Sequence, residues 1–369
     1  MGRLHDLHSE LGQSPWLDNL RRGWMANGEM QAWIDKGVRG LTSNPSIFAN
    51  AMISSDEYDA DLEKFVRSGQ SVEEAYWNLA VDDIRSALDL LRPVFDESDG
   101  EDGYVSIEVS PTLANDEAST VEAARELDRR LDAPNLYIKV PATAEGVPAI
   151  RTLIGEGRSI NVTLIFSLSR YAAVMEAYIA GLEDYSASHP DADLSTISSV
   201  ASFFISRVDV NVDRQLDEIG TPEAVALGGK AAVAQGQLAY EAALNTFSGP
   251  RWDVLVARGA RIQRPLWAST STKNPDYPDT LYVDTLIGPD TVNTLPDATL
   301  MAFDDHGTLA RTVDADFASA HGVVDGLMAL GIDLEDVAVT LEDEGVASFA
   351  KAFEEVLQTL ATRAEEFKD

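Results

Sequence analysis

Cysteine is absent from the chain, which excludes disulfide cross-links, thiolate nucleophiles and cysteine-ligated metal sites. Histidine is scarce, with five residues, and none falls in a metal-ligand spacing. His5 and His8 share a helical face near the N-terminus and read as a solvated pair. No run of about 18 apolar residues occurs, and the N-terminus has no apolar signal core. Neither a membrane span nor an export signal is expected, so the expected compartment is the cytoplasm. The glycosylation pattern Asn161-Val162-Thr163 is then coincidental. Positive charge is also in short supply: 28 basic residues against 62 acidic ones give −34. That balance argues against nucleic acid or an anionic membrane as partner, and any anionic substrate would need its own basic pocket.

What is there describes a globular enzyme-sized chain. Hydrophobic residues make up 45% and charged residues 24% of 369 positions, enough to bury one large core. Short β-prone runs alternate with long amphipathic ones. The strand candidates are roughly 14–18, 38–43, 104–109, 136–140, 159–165, 199–205, 264–269 and 281–285. Helical stripes include 72–92, with Trp77, Ala80, Val81, Ile84, Leu88 and Leu91 at helical spacing, and 116–131, opened by Asp116. The alanine-rich stretch 222–246 has Pro222 suited to a first turn. Eight strands separated by helices predict a single (β/α)8 barrel domain over 1–369, with helices from about 308 packed on it. A doubly wound sheet is the competing architecture, but no Gly-rich phosphate loop follows an early strand.

One lysine stands out. Lys139 lies inside Leu136-Tyr137-Ile138-Lys139-Val140, just before Pro141, and is the one lysine of seven in an apolar, β-prone run. A buried ammonium is costly unless paired, and a neutral amine there can form a Schiff base with a carbonyl substrate. The plainer possibility is an ion-paired structural lysine at a strand end.

Alternation within the strands gives Lys139 its company. Val105, Ile107 and Val109 share one face, leaving Tyr104, Ser106 and Glu108 on the other. Leu136, Ile138 and Val140 oppose Tyr137 and Lys139. Ile160, Val162 and Leu164 oppose Asn161 and Thr163, and Ala201, Phe203 and Ile205 oppose Ser202 and Phe204. Parallel barrel strands are buried on both faces, so the apolar face meets the helices and the polar face points inward. A carboxylate, an amine, an amide and hydroxyls thus converge toward the end of the barrel where active sites form. A satisfied hydrogen-bond network without chemistry is the alternative for any single one of them.

The words around these residues resemble the transaldolases of the pentose phosphate pathway, within the Schiff-base aldolase superfamily. The matching blocks are Gly40-Leu41-Thr42-Ser43-Asn44-Pro45-Ser46, Val105–Pro111, Tyr137–Thr143, Ile160–Ser167, Ser202–Arg207 and Trp267–Pro275, in family order. The resemblance implies a barrel that moves a dihydroxyacetone unit from a ketose phosphate (sedoheptulose 7-phosphate or fructose 6-phosphate) to an aldose phosphate (glyceraldehyde 3-phosphate or erythrose 4-phosphate). It implies Lys139 as the Schiff-base lysine, Glu108 and Thr163 as the pair holding a proton-transfer water, and Asp18 as the base at the C4 hydroxyl. Asn44, Asn161 and Ser202 would bind the dihydroxyacetone hydroxyls. Arg207 and Lys273, with Ser271, would bind phosphate; many members carry arginine where Lys273 stands. Without the resemblance, Asp18 reads as a helix cap, Asn44-Pro45 as a turn, and the two cations as partners of Asp209 and Asp276.

Related barrels perform simple aldol cleavage with the same lysine, as fructose 6-phosphate aldolase does. Those carry tyrosine and glutamine where this chain has Phe204 and Glu108, so the resemblance favours transfer over release. A sugar-phosphate-binding barrel without catalysis is the remaining alternative. No cofactor is expected, since the lysine itself supplies the electron sink. The expected assembly is a monomer or homodimer.

Overall fold

The computed structural model describes residues 2–367; Met1, Lys368 and Asp369, within the expected single domain, lie outside the described residues. Eight parallel strands close into a barrel in sequence order: β1 (Gln13–Leu17), β2 (Leu41–Thr42), β3 (Val105–Glu108), β4 (Leu136–Pro141), β5 (Ile160–Ile165), β6 (Ser199–Phe204), β7 (Arg264–Ala268) and β8 (Thr291–Leu295). Helices connect them and form the outer ring, as parallel crossovers require. The expected barrel is therefore the observed architecture.

The expected eighth strand at 281–285 is not one. Leu281–Asp284 is a short helix, and the ring closes through Thr291–Leu295, paired to β1 from Gln13↔Thr291 to Leu17↔Leu295. A short apolar run cannot be told from a buried helical turn by periodicity. In the helix the Tyr282 hydroxyl reaches Asp209 Oδ2 at 2.8 Å and Val283 is buried. The stretch 222–246 is likewise not one helix but two, Pro222–Val225 and Ala231–Thr246. Between them Gly229 takes φ +69°, a left-handed conformation that ends a helix. The stripe at 72–92 continues to Glu97, running through Pro93. Asp116 caps Glu117–Leu131 by accepting from Ser119 N at 3.0 Å.

The two ends of the barrel interior differ. Its floor is aromatic: Tyr104 and Tyr137 stack with centroids 4.1 Å apart, beside Trp16. Asp102 closes the floor, taking Arg39 at 2.7 Å, Arg264 at 3.1 Å and Ser14 at 2.7 Å. Burial alone would raise the Asp102 carboxyl, but Arg264 and Arg39 hold it below its ordinary value. That firm floor leaves the polar residues of β3 to β6 gathered above it.

One strand breaks its alternation. On β5 the pairing with β6 shifts between Val162 and Ile165, and Leu164 sits at φ +58°. Left-handed backbone is strained for leucine, and bulges of this kind re-aim side chains at barrel rims. Leu164 therefore does not continue the outward face shared by Ile160 and Val162. Its side chain lies under Gly345, on the C-terminal helix Leu334–Glu366. Among the described residues, no helix is long and apolar enough to cross a membrane.

Candidate active site

Strand register brings an amine to a carboxylate. Glu108 ends β3 directly opposite Lys139 on β4, and Lys139 is opposite Asn161 on β5. Lys139 Nζ lies 3.1 Å from Glu108 Oε2 and donates to Ser43 O at 3.3 Å. Only 4% of Lys139 and 6% of Glu108 is exposed, so water screens the pair weakly. Burial raises the Glu108 carboxyl above its ordinary value; Lys139 opposes the rise and Asp18 adds to it. A carboxylate with elevated proton affinity, touching an ammonium, can take its proton and leave a neutral amine.

Above the pair opens a cavity of about 660 Å³, counting its mouth. Asp18, Asn44, Lys139, Thr163, Ser202, Phe204, Arg207, Ser271 and Lys273 line it. Glu108 and Asn161 stand behind this wall. Asn161 donates to Ser106 Oγ at 3.0 Å and accepts from Ser202 Oγ at 2.7 Å, so it holds Ser202 from below. Thr163 Oγ1 is buried with no hydrogen-bond partner among the described residues. A buried hydroxyl left unpaired calls for a reason, and its place in the cavity wall is the evident one.

Asp18 follows β1 and does not cap a helix. It accepts from Thr42 Oγ1 at 2.8 Å, and Thr42 Oγ1 lies 2.6 Å from Thr294 Oγ1. With its proton committed to Asp18, Thr42 receives from Thr294, which makes a hydroxyl relay that fixes the carboxylate. Burial raises the Asp18 carboxyl, opposed by Lys139, the Thr42 hydrogen bond, Arg207 and Lys273. Asn44 plays two parts. Its side chain caps Pro45–Ile53 by accepting from Ile47 N at 3.0 Å, and it also lines the cavity.

Arg207 and Lys273 approach from the ends of neighbouring strands. Ile205 N donates to Ala268 O at 3.0 Å and Ser206 N to Ser269 O at 3.0 Å, which ties the start of helix Ser206–Ile219 to the loop after β7. Among the described residues, neither cation forms an ion pair with Asp209 or Asp276; Asp209 is occupied by Ala232 N and the Tyr282 hydroxyl. Arg207 lies over the Phe204 and Phe349 rings, at 5.3 and 6.0 Å. Lys273 donates to Ser271 Oγ. Burial lowers the Lys273 ammonium, and Arg207 lowers it further, as expected of two cations facing one anion site. Within a chain of net charge −34, two cations lining one cavity make it locally basic.

Sequence reasoning missed three contributors. Thr42 stood in a recognised block, at the end of β2 and two residues before Asn44, and alternation could have found it. Thr294 was hidden because the eighth strand was placed elsewhere. Phe349, from the distant C-terminal helix, gave no local signal; its ring lies 5.8 Å from Lys139 Nζ and lines the cavity.

Comparison with known proteins agrees with this geometry. A family model described as Transaldolase/Fructose-6-phosphate aldolase matches residues 15–360. A transaldolase of Thermobifida fusca is 51% identical over 96% of this chain and 96% of its own length. One from Mycobacterium leprae is 48% identical over 95% and 94%, and one from Frankia alni 48% over 96% and 95%.

Proposed function

We propose, from the premise that this chain belongs to the transaldolase/fructose-6-phosphate aldolase family, that it is a transferase moving a dihydroxyacetone unit between sugar phosphates through a Schiff base on Lys139. The observation that carries the reading is the buried Lys139–Glu108 contact of 3.1 Å, at the foot of a cavity that also holds Arg207 and Lys273. The donors would be fructose 6-phosphate or sedoheptulose 7-phosphate, and the acceptors glyceraldehyde 3-phosphate or erythrose 4-phosphate.

Glu108 takes a proton from the Lys139 ammonium, and the neutral amine adds to the keto carbon of the donor. Glu108 then returns the proton to the carbinolamine hydroxyl through a water held with Thr163. That hydroxyl leaves as water, and an iminium remains. Asp18 removes the C4 hydroxyl proton; the C3–C4 bond breaks, its electron pair moves onto the iminium, and the aldose phosphate departs. The lysine-bound enamine adds to the acceptor aldehyde, which takes its proton back from Asp18, and water releases the new ketose. Asn44 and Ser202 bind the dihydroxyacetone hydroxyls, with Asn161 orienting Ser202. Arg207 grips phosphate bidentately, while Lys273 with Ser271 acts as a point charge.

Phe204 and Glu108 support transfer over simple cleavage. A phenyl ring in the wall offers no proton to the enamine, which persists until an aldehyde arrives. The chain is read as one catalytic domain in the cytoplasm, monomeric or homodimeric. One hydrophobic cluster extending from Leu4 to Leu360 supports the single-domain reading. The test is conversion of fructose 6-phosphate and erythrose 4-phosphate into sedoheptulose 7-phosphate and glyceraldehyde 3-phosphate. Lys139→Ala must abolish it; absence of conversion by the unaltered enzyme refutes the reading.

A further inference from the structure

The C-terminal helix is built as a beam across the site. Its 33 residues extend about 50 Å at 1.5 Å per residue. Near its start, Ser169 Oγ donates to Glu335 Oε2 at 2.6 Å and Arg170 pairs with Glu342 at 3.4 Å; both partners open the helix after β5. Near its end, Arg363 donates to Met52 O at 3.0 Å, Ile53 O at 3.0 Å and Ser55 O at 2.9 Å, and pairs with Asp59 at 3.1 Å. Those carbonyls end the helix after β2 and would otherwise lack partners. β2 and β5 stand three places apart in the ring, so the helix crosses the mouth.

Its buried face, Leu341, Gly345, Phe349 and Phe353, repeats every fourth residue and points down. A Cβ on Gly345 would stand 2.9 Å from Leu164 Cδ2 and 3.6 Å from Arg207 Nη1, so a larger residue would make the Leu164 side chain move, and glycine lets the helix sit low over it. One turn on, the Phe349 ring lies 5.8 Å from Lys139 Nζ and 6.0 Å from Arg207 Cζ, with 4% of the residue exposed. Phe353 sits a further turn on and packs edge-on against Tyr76, centroids 5.1 Å apart.

We infer that Phe349 is a positioning residue that shields the lysine-bound intermediate from water, and that the clamped helix exists to hold it there. This rests on the transaldolase reading above. The enamine on Lys139 has two fates. It can form a carbon–carbon bond with an aldehyde, which is transfer. It can instead take a proton on the same carbon; the resulting iminium adds one water, and the carbinolamine expels the lysine amine to release free dihydroxyacetone. An apolar ring over the site keeps away the water and proton that the second route consumes.

The experiment measures free dihydroxyacetone released per transfer event, with fructose 6-phosphate and erythrose 4-phosphate, alongside borohydride trapping. F349A should raise that ratio about tenfold, a difference of about 1.4 kcal/mol between the two barriers, while still forming the trapped adduct. F349L, which keeps an apolar wall, should stay within about threefold of the unaltered enzyme. R363A, which loosens the clamp far from the cavity, should shift the ratio in the same direction, and it carries the test if F349A does not fold. An unchanged ratio in F349A and R363A, whichever of them folds, overturns the inference. Failure of the unaltered enzyme to form any adduct refutes the transaldolase reading instead.

Discussion

Replacing Lys139 with methionine should do more than remove a nucleophile. The thioether side chain would nearly match the lysine's length, but Glu108 would then be buried without its cation. Breaking one side of a buried ion pair costs about 3–5 kcal/mol. With unfolding entropy near 2.1 cal/mol/K per residue and 369 residues, that corresponds to a Tm loss of about 4–6 °C. The loss must depend on pH. Burial already raises the Glu108 carboxyl, and losing Lys139 raises it further. A carboxyl that binds its proton more tightly in the folded state penalises folding only where the unfolded chain is ionised. The penalty is therefore absent below the ordinary carboxylate range, grows as pH rises from that range toward the raised folded-state value, and is complete above it. Calorimetry of K139M and of K139M/E108Q at pH 5 and pH 8 measures this. The single variant should lose more at pH 8 than at pH 5, and the added E108Q should restore most of the loss. An equal Tm deficit at both pH values, or no rescue by E108Q, refutes the claim that the two side chains act as one buried pair.

Phe204→Tyr should raise free dihydroxyacetone release relative to transfer, measured by product ratio, because a phenol can protonate the enamine; an unchanged ratio counts against this role for Phe204. Arg207→Lys should weaken a fork that has no carboxylate partner among the described residues, raising KM for phosphorylated substrates about 10–100-fold, as loss of a charge-assisted pair implies. An unaltered KM would exclude Arg207 as a phosphate ligand. Asp209, with its carboxyl pushed up to about 6 by burial, predicts a pH signature in the stability of D209N. The raised value means that the unaltered enzyme loses stability as pH climbs from the ordinary carboxylate range to 6, a loss that asparagine does not share. D209N should therefore gain about 2–3 kcal/mol on the unaltered enzyme between pH 4 and pH 8; a gain that does not vary with pH contradicts the assignment.

Much of the site was legible because a barrel strand must be apolar toward its helices. That rule alone isolated Glu108, Lys139, Thr163, Ser202 and Phe204 on inward faces, and all but Glu108 line the cavity. What escaped was non-local. The run at Leu281 is as apolar as a strand, yet it forms a helix whose Tyr282 hydroxyl reaches the distant Asp209. Leu164 obeys the alternation in sequence, yet the bulge turns it to the mouth. Asn161 shares the inward face, and its bonds to Ser106 and Ser202 became visible only in the fold. Phe349 reaches the site only because a helix much further along the chain is clamped across the barrel.

The central claim is tested most directly by borohydride reduction in the presence of fructose 6-phosphate, followed by mass spectrometry of the intact chain and its peptides. One reduced sugar adduct on Lys139, absent from Lys139→Ala, is the predicted result. No adduct, or an adduct on any of the other lysines instead, would contradict it.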